Sequence, residues 1–139
     1  MTSLAPDQAS RLFVRSAVLP DIPHLLSLLP ADGGLAWVNG EATNQVGVVG
    51  WGEVARITLN GPERFSRAQR WWSQQCSNSQ GDDPIAFASF AFDKDPGASV
   101  LLVPEVAIAR NSSGTRLIVT SNTSISDTQL ANVIGSVSR

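Results

Sequence analysis

Residues with the chemistry for nucleophilic attack or for binding a metal are scarce in this sequence. His24 is the only histidine and lies in a segment rich in proline and leucine, so a metal site built on several histidines is excluded. Cys76 is the only cysteine, and a thiol becomes a strong nucleophile only beside a base or another group that lowers its pKa. We therefore predict a structural or surface role for His24 and a buried or half-buried helix position for Cys76.

Acidic residues occur as close pairs in two places. Asp82 and Asp83 form one pair, and Asp93 and Asp95 flank Lys94 in the other. Both pairs lie among turn-forming residues, where aspartate usually accepts hydrogen bonds from the backbone or is solvated. They are therefore weaker candidates for a metal site than for loop structure.

Glu53 and Arg56 are the charged residues of most interest, because both lie in the predicted strand 53–59 directly after Trp51-Gly52. Residues three apart on an ideal strand point to opposite faces, so we expect the two not to pair with each other. One of them would point toward the core. In the structural interpretation, that residue forms a buried ion pair with a residue of another element. The sequence contains neither a Gly-x-x-x-x-Gly-Lys phosphate loop nor the glycine fingerprint of a dinucleotide-binding fold, so we predict no nucleotide site.

The elements that must position these residues are organised around residues 51–72. Val54, Ile57 and Leu59 predict a strand, and the break at Gly61-Pro62 predicts a helix over about 62–76 that begins near Pro62. The apolar residues expected on the buried side of this helix are Phe65, Ala68, Trp71 and Trp72. The tryptophans of this stretch should make the largest single apolar contributions to the core.

Apolar runs elsewhere predict a sheet of mostly antiparallel strands. The predicted strands are 11–19, 35–38, 46–50, 53–59, 85–93, 99–110 with a break at Pro104, and 115–121. A short helix with Asp21 as its N-cap is expected over 21–29, and hairpin turns are expected at 39–45 and 111–114. The run 85–93 is apolar enough to be buried on both faces. The predicted fold class is α+β, a mostly antiparallel sheet with one main helix.

Two features mark the middle and the end of this fold. Gly50 and Gly52 flank Trp51, which indicates either a bulge or a close approach of another backbone or a ligand. We place one folded region at residues 1–121 and a linker or short helix at 122–139, where Ser126 and Gln129 have the spacing of a capping box.

Composition limits the partners. The chain has 139 residues, a formal net charge of −2 and ten basic residues spread along its length, so no basic patch for nucleic acid is expected. No stretch approaches the ~20 apolar residues that a membrane-spanning helix needs. The N-terminus lacks the pattern of a signal peptide, and we expect a cytoplasmic protein with no membrane partner.

Three linked segments resemble a known family. They are Gly50-Trp-Gly-Glu-Val-Ala-Arg56, Gly61-Pro-Glu-Arg-Phe65 leading into Trp71-Trp72, and Ala88-Ser-Phe-Ala-Phe-Asp93 followed by Ser99-Val-Leu-Leu-Val-Pro104. In this order they are similar to the N-terminal part of the chorismate-utilising enzymes, and most like isochorismate synthases of the menaquinone or siderophore pathways. The resemblance extends from about residue 35 to residue 120 and implies part of the fold of anthranilate synthase component I.

The resemblance also implies where the chemistry lies. Family members are Mg²⁺-dependent: a lysine base activates water, a glutamate acid protonates the departing hydroxyl, and further glutamates hold the metal. These groups belong to the C-terminal chorismate-binding half. The run 106–110 has only a superficial likeness to the lysine-bearing strand and carries no lysine, and Lys94 lies in a turn. No catalytic, cofactor-binding or metal residue is therefore carried over to this chain.

Two hypotheses follow from the resemblance. In the first, the chain is the N-terminal scaffold of an isochorismate synthase, inactive alone, whose catalytic half is its expected partner in cis or as a separate chain. In the second, it is a non-catalytic module derived from that fold that binds some other partner. A half-domain should leave an apolar edge or face unpaired, and the candidates for it are Phe87, Phe90 and Phe92.

Overall fold

Strands dominate the architecture, and helices flank them. The computed structural model describes residues 11–89 and 99–138. The elements in chain order are β1 (Leu12–Leu19), a 3₁₀ helix (Leu25–Leu28), β2 (Leu35–Asn39), β3 (Val46–Trp51), β4 (Ala55–Leu59), α1 (Arg64–Ser77), β5 (Ser79–Gly81), β6 (Phe87–Ser89), β7 (Ser99–Val103), β8 (Val106–Asn111), β9 (Gly114–Ser121) and α2 (Asp127–Val137).

The strands form two sheets. The larger sheet has six strands in the order β2-β3-β8-β9-β1-β5, and the smaller has three in the order β4-β7-β6. Every pairing is antiparallel except that of β1 with β5, which is parallel. The predicted α+β class with a mostly antiparallel sheet is confirmed.

A bulge links the two sheets. The pair β3–β8 continues along the chain as the pair β4–β7; the flanking residue pairs are Trp51–Val106 and Ala55–Val103. Between them, residues 52–54 of one strand oppose only residues 104–105 of the other, which is the extra residue that defines a bulge. Gly52 has φ +75°, a left-handed conformation that favours glycine, and Pro104 donates no ladder bond. Both the break predicted at Pro104 and the bulge alternative at Gly52 are confirmed.

The two faces of the six-stranded sheet differ in their cover. On the face here called the covered face, strand residues pack against the 3₁₀ segment and α2; the buried residues of this core are Leu19, Ile22, Leu25, Val49, Ile108, Leu117, Val119, Leu130 and Val137. On the opposite face, here called the open face, the buried cluster contains only Val14, Ala107 and Ile118. The covered face therefore holds the main core of the described residues.

Helix α1 packs against the three-stranded sheet with most of the predicted stripe. It begins at Arg64, so Pro62 precedes it, and its buried residues are Arg64, Ala68 and Gln75. Phe65 is 42% exposed and lies under the Arg64 guanidinium, 4.6 Å from the ring centroid. Ala68 is buried, and Trp71 and Trp72 pack against the same cluster, as predicted. The prediction for Phe65 was wrong, because Arg64 takes the buried position in the first turn.

The tryptophans do not form the buried core. Trp51, Trp71 and Trp72 are half-buried and pack against core clusters from their margins. The side chains that lose all their exposure are aliphatic, such as Leu117 and Ile108. A tryptophan is large enough that its ring reaches the surface even when one side of it packs.

Three further local predictions were wrong. The helix expected over 21–29 is one 3₁₀ turn, Leu25–Leu28, and Asp21 does not cap it. β5, at residues 79–81, was missing from the predicted strands. In the described part of the run 85–93, Ala88 and Ser89 are exposed, so β6 is not buried on both faces. Residues 90–93 lie outside the described range.

The C-terminal helix α2 begins as its sequence predicts. The Ser126 side chain accepts from the Gln129 backbone N–H, and the Gln129 side chain accepts from the Ser126 backbone N–H, at 3.1 and 2.7 Å. This reciprocal capping box satisfies two donors that the first turn would leave unpaired. Leu130 and Val137 then anchor the helix on the covered face.

Candidate functional site

The open face carries the two most exposed large apolar side chains of the described residues, Val18 at 82% and Trp37 at 77%. Val46, also on this face, is 44% exposed. Trp37 pairs with Val48 and Val18 pairs with Arg116, and residues directly opposite in an antiparallel ladder point to the same face. Counting in steps of two along β1, β3 and β9 places all three on the face of Val14 and Ile118. In register, Arg116, Ala109 and Val48 lie between Val18 and Trp37, so the exposed apolar residues flank a mixed surface that is a candidate for binding.

The segment after β5 covers only part of the open face. One Asp82 carboxylate oxygen accepts from the Ser16 backbone N–H at 2.9 Å and from the Ser16 hydroxyl at 2.7 Å. Arg116 donates to the same hydroxyl at 2.9 Å. Ile85 then packs against the buried cluster of this face. The contacts fix residues 82–85 across β1, while Val18, Trp37 and Val46 stay exposed among the described residues of this face.

Depressions on this face include two beside the segment 82–88. One, of about 330 Å³, lies between Arg116 and the segment 82–85. The other, of about 220 Å³, is lined by Trp37, Val48 and residues 85–88. The first presents both charge signs and the second is apolar, so the surface suits a polypeptide better than a small charged substrate.

A polar cluster centred on Arg110 lies at the other end of the sheet. The guanidinium donates to both Asp21 carboxylate oxygens, at 2.9 and 3.2 Å, and to Asn44 Oδ1 and the Gln45 carbonyl, at 3.1 and 2.8 Å. Thr115 donates its hydroxyl proton to Asp21 at 3.1 Å. An open depression of about 880 Å³ lies beside the cluster. Because four of its five N–H donors already bond protein acceptors, Arg110 mainly holds loop 39–45 against the sheet.

Sequence reasoning missed this cluster because it assigned Asp21 to a helix cap. The signal was present in the hairpin: the turn 111–114 sets the register so that Arg110 pairs with Thr115. Asp21 reaches that pair because β1 ends at Leu19 beside β9. The link from Asp21 to the pair depends on the non-local pairing of β1 with β9, which no local pattern encodes.

The Arg110 cluster makes stability depend on pH. Hydrogen bonding from Arg110 holds the pKa of Asp21 below its usual value of 3.8, and Asp21 in turn raises the pKa of Arg110. A depressed carboxyl pKa means that the unfolded chain binds more protons than the folded one, so stability rises with pH through this window. The contribution is complete above the unfolded pKa and is lost as pH falls through the folded pKa.

We therefore expect the unfolding midpoint of the native chain to fall as pH is lowered from 5 through about 3.8, partly because of Asp21. Asp21→Asn should lower the midpoint at pH 7 and flatten this acid dependence. Thermal unfolding at a series of pH values measures both effects, and Asp32→Asn, at an exposed turn, is the control. An Asp21→Asn profile parallel to the native one would show that the cluster does not titrate as described.

The two single nucleophile candidates are not catalytically arranged. His24 is exposed and precedes the 3₁₀ helix, in agreement with the predicted structural or surface role. Cys76 is also exposed, so the predicted buried or half-buried position was wrong. Partial desolvation, and then the Asp83 carboxylate, raise the pKa of its thiol, which favours the less reactive protonated form.

Glu53 and Arg56 pair with each other, contrary to the prediction. Their side chains meet at 2.9 Å and are each about half exposed, 49% for Glu53 and 47% for Arg56. The rule of opposite faces fails because β4 begins only at Ala55, so Glu53 lies in the bulge and not on a regular strand. The pair is a surface ion pair, which contributes little to stability.

A cleft of about 370 Å³ lies between the covered face and α2. Its apolar wall includes Trp51, Val119 and Val133, and Glu105 and Gln129 supply polar groups. Glu105 has no histidine, lysine or cysteine beside it in this lining, so the cleft contains no acid–base pair. It can bind an apolar group but has no arrangement for catalysis.

The acidic pairs do not form a metal site in the described residues. Asp82 is used by Ser16, and Asp93, Asp95 and Lys94 lie outside the described range. Residues 11–89 and 99–138 contain no group of three or more His, Cys, Asp or Glu side chains that could hold an ion. These residues therefore do not fit the Mg²⁺ that the family resemblance implies, and we assign no metal step to them.

Comparisons with family models, with curated proteins and with solved structures each gave no match. Within residues 11–89 and 99–138, neither α1 nor α2 has the length and apolar character needed to cross a lipid bilayer.

Proposed function

We propose that this chain is the N-terminal scaffold of an isochorismate synthase and that its open face docks the catalytic, chorismate-binding half. The observation that supports the proposal is the open face itself: a six-stranded sheet covered on one side leaves Val18, Trp37 and Val46 in solvent on the other. A sheet face of this kind is normally packed against another layer. In the proposal, the catalytic half supplies that layer.

The division of labour follows from the side chains present. The described residues supply packing surface, and their ion pairs Arg110–Asp21 and Arg15–Asp127 join parts of this chain to each other. The lysine base, the glutamate acid and the Mg²⁺ ligands would come from the catalytic half. The chain would then shape and support the chorismate pocket without contacting the reacting atoms.

A second candidate uses the same surface for a different purpose. The open face would serve a non-catalytic module equally well if its partner were an unrelated polypeptide with an apolar surface. The two candidates differ in the identity of the partner, so a binding measurement with the catalytic half separates them.

The experiment mixes the chain with a separately expressed catalytic half of an isochorismate synthase and follows complex formation by size-exclusion chromatography with light scattering. We expect a one-to-one complex that Val18→Asp with Val46→Asp weakens at least about tenfold, because a charge would be buried without a partner. Ser73→Asp, an exposed position on α1, is the matched control and should bind as the native chain does. No complex, or equal loss in the control, would contradict docking on the open face.

A further inference from the structure

β2 is an edge strand that lacks the usual protection against pairing. It is the last strand of the six-stranded sheet and reads Leu35-Ala-Trp-Val-Asn39, with neither a charge nor a proline. Edge strands are commonly protected by being short, by charged side chains or by bulges. An unprotected apolar edge is a template for another strand.

Two other edge strands of the described sheets are protected in these ways. β5 has only three residues, ends at Gly81 with φ +97° and is followed by Asp82-Asp83. β4 carries Arg56. The residues that follow β6 lie outside the described range. In contrast to β4 and β5, β2 has several apolar residues and no such device.

The backbone of β2 presents its outward groups at two positions. The direction of the Trp37 carbonyl follows from its position relative to Gly47 in the neighbouring strand β3. A Cβ added to Gly47 would lie closer to the Trp37 carbonyl oxygen than to its carbon. The carbonyl therefore points toward β3. Trp37 thus exchanges its hydrogen bonds with Val48, its partner in register. Because the direction alternates along a strand, the N–H and C=O groups of Ala36 and Val38 point away from the sheet.

We propose that two copies of this chain pair antiparallel through β2 about a two-fold axis at Trp37, which joins their six-stranded sheets into one. In this register Ala36 of each copy faces Val38 of the other, and each such pair exchanges two N–H···O bonds. The two Trp37 side chains lie directly opposite each other on the open face. Cross-strand aromatic pairs of this kind stabilise a sheet beyond their buried area.

The strand is complementary to itself, which is why the partner is a second copy. The central residue of the five-residue strand falls on the axis, so both outward residues find partners at once, and no charge within the strand opposes its copy. Trp37 is 77% exposed, and a paired ring would bury roughly 150 Å² in each copy. A standard interface buries about 800 Å² per partner, so this pairing belongs to the weak, transient class, with a dissociation constant on the order of 10 µM to 1 mM.

Sedimentation velocity over a concentration series that spans this range tests the dimer. Trp37→Lys places a charge on the edge, and Val38→Pro removes an outward donor without touching the bonds to β3; both should weaken dimerisation at least about tenfold. Val18→Lys is the control, since it lies on the same face but on strand β1. Circular dichroism establishes that each variant is folded.

Disulfide trapping tests the register. In a Cys76→Ser background, Leu35→Cys and Asn39→Cys chains are prepared separately, because residue 35 of one copy should face residue 39 of the other at a Cα separation of about 4.5 Å. Mild oxidation should cross-link the mixture of the two variants and neither variant alone. This inference does not rest on the proposed function, since both measurements use only this chain.

Three results would overturn the inference. The first is a native chain that stays monomeric throughout the concentration series. The second is dissociation of the dimer by Val18→Lys as strong as that by Trp37→Lys, which would place the contact on the open face and not on the edge. The third is a cysteine variant that cross-links as well alone as in the mixture.

Discussion

Chorismate incubated with the isolated 139-residue chain and Mg²⁺ should be recovered without conversion to isochorismate. Moving a hydroxyl on the ring requires a base to activate water and an acid to protonate the leaving group, and each positioned acid or base contributes roughly 10²–10⁴-fold to the rate. The described residues contain no such arrangement: His24 is exposed, Cys76 has a raised pKa, and Glu53 is paired with Arg56. Without a positioned base and a positioned acid, the rate of isochorismate formation should not exceed the uncatalysed rate.

Chromatographic separation of chorismate from isochorismate measures this outcome. An intact isochorismate synthase in the same assay is the positive control, and the chain heated until it unfolds is the blank. Product that forms in proportion to the concentration of the pure folded chain would contradict the account, because it would place the acid and the base within these residues.

Leu117→Ala should reduce the free energy of unfolding by about 2–5 kcal/mol, since it empties the centre of the covered face. Leu117 has no exposed surface, and it pairs with Ile108 on β8 and Ala17 on β1, so the space it leaves is enclosed by the sheet. Domains of this size are stable by only about 5–15 kcal/mol. The variant should therefore unfold at a much lower urea concentration.

Urea unfolding followed by tryptophan fluorescence gives the difference directly. Val18→Ala is the matched control: it also shortens an aliphatic side chain in the β1–β9 pair, but on the open face at 82% exposure, so its effect should stay within about 0.5 kcal/mol. Equal effects from the two substitutions would show that the covered and open faces do not differ in packing as described.

The parts of the fold that follow from local sequence were predicted well. The turn at 111–114 fixed the β8–β9 hairpin, the Ser126–Gln129 spacing fixed the start of α2, and Pro104 fixed the break between β7 and β8. In each case residues close in sequence satisfy each other's backbone groups or exclude a pairing. Such signals need no knowledge of the rest of the chain.

Features set by distant contacts were missed. β5 is a strand only because β1, far away in sequence, offers it a parallel edge, and its own residues Ser79–Gly81 carry no strand signal. Asp21 was assigned to a helix cap because Thr115 and Arg110, which bind it, lie about ninety residues away. A local sequence pattern contains no information about the distant residues that make β5 a strand and that bind Asp21.

The sequence-based prediction placed the exposed apolar surface at the wrong residues. An unpaired apolar surface was expected at three phenylalanines; Phe87 is half-buried, and Phe90 and Phe92 lie outside the described residues. The exposed residues are Val18 and Trp37. The sequences of their strands show no pattern that distinguishes them from the other predicted strands. Which face of a sheet is covered depends on where α2 and the 3₁₀ segment pack, and alternation along a strand cannot distinguish the two faces.

We propose that this chain completes a chorismate enzyme whose chemistry lies in another half. The most direct measurement is isochorismate formation by a catalytic half lacking its own N-terminal region, assayed with Mg²⁺ while this chain is titrated in. The account predicts activity that rises and saturates at one equivalent of the native chain and is strongly reduced with Val18→Asp and Val46→Asp together. A catalytic half whose activity is unchanged by the chain at every ratio would contradict it.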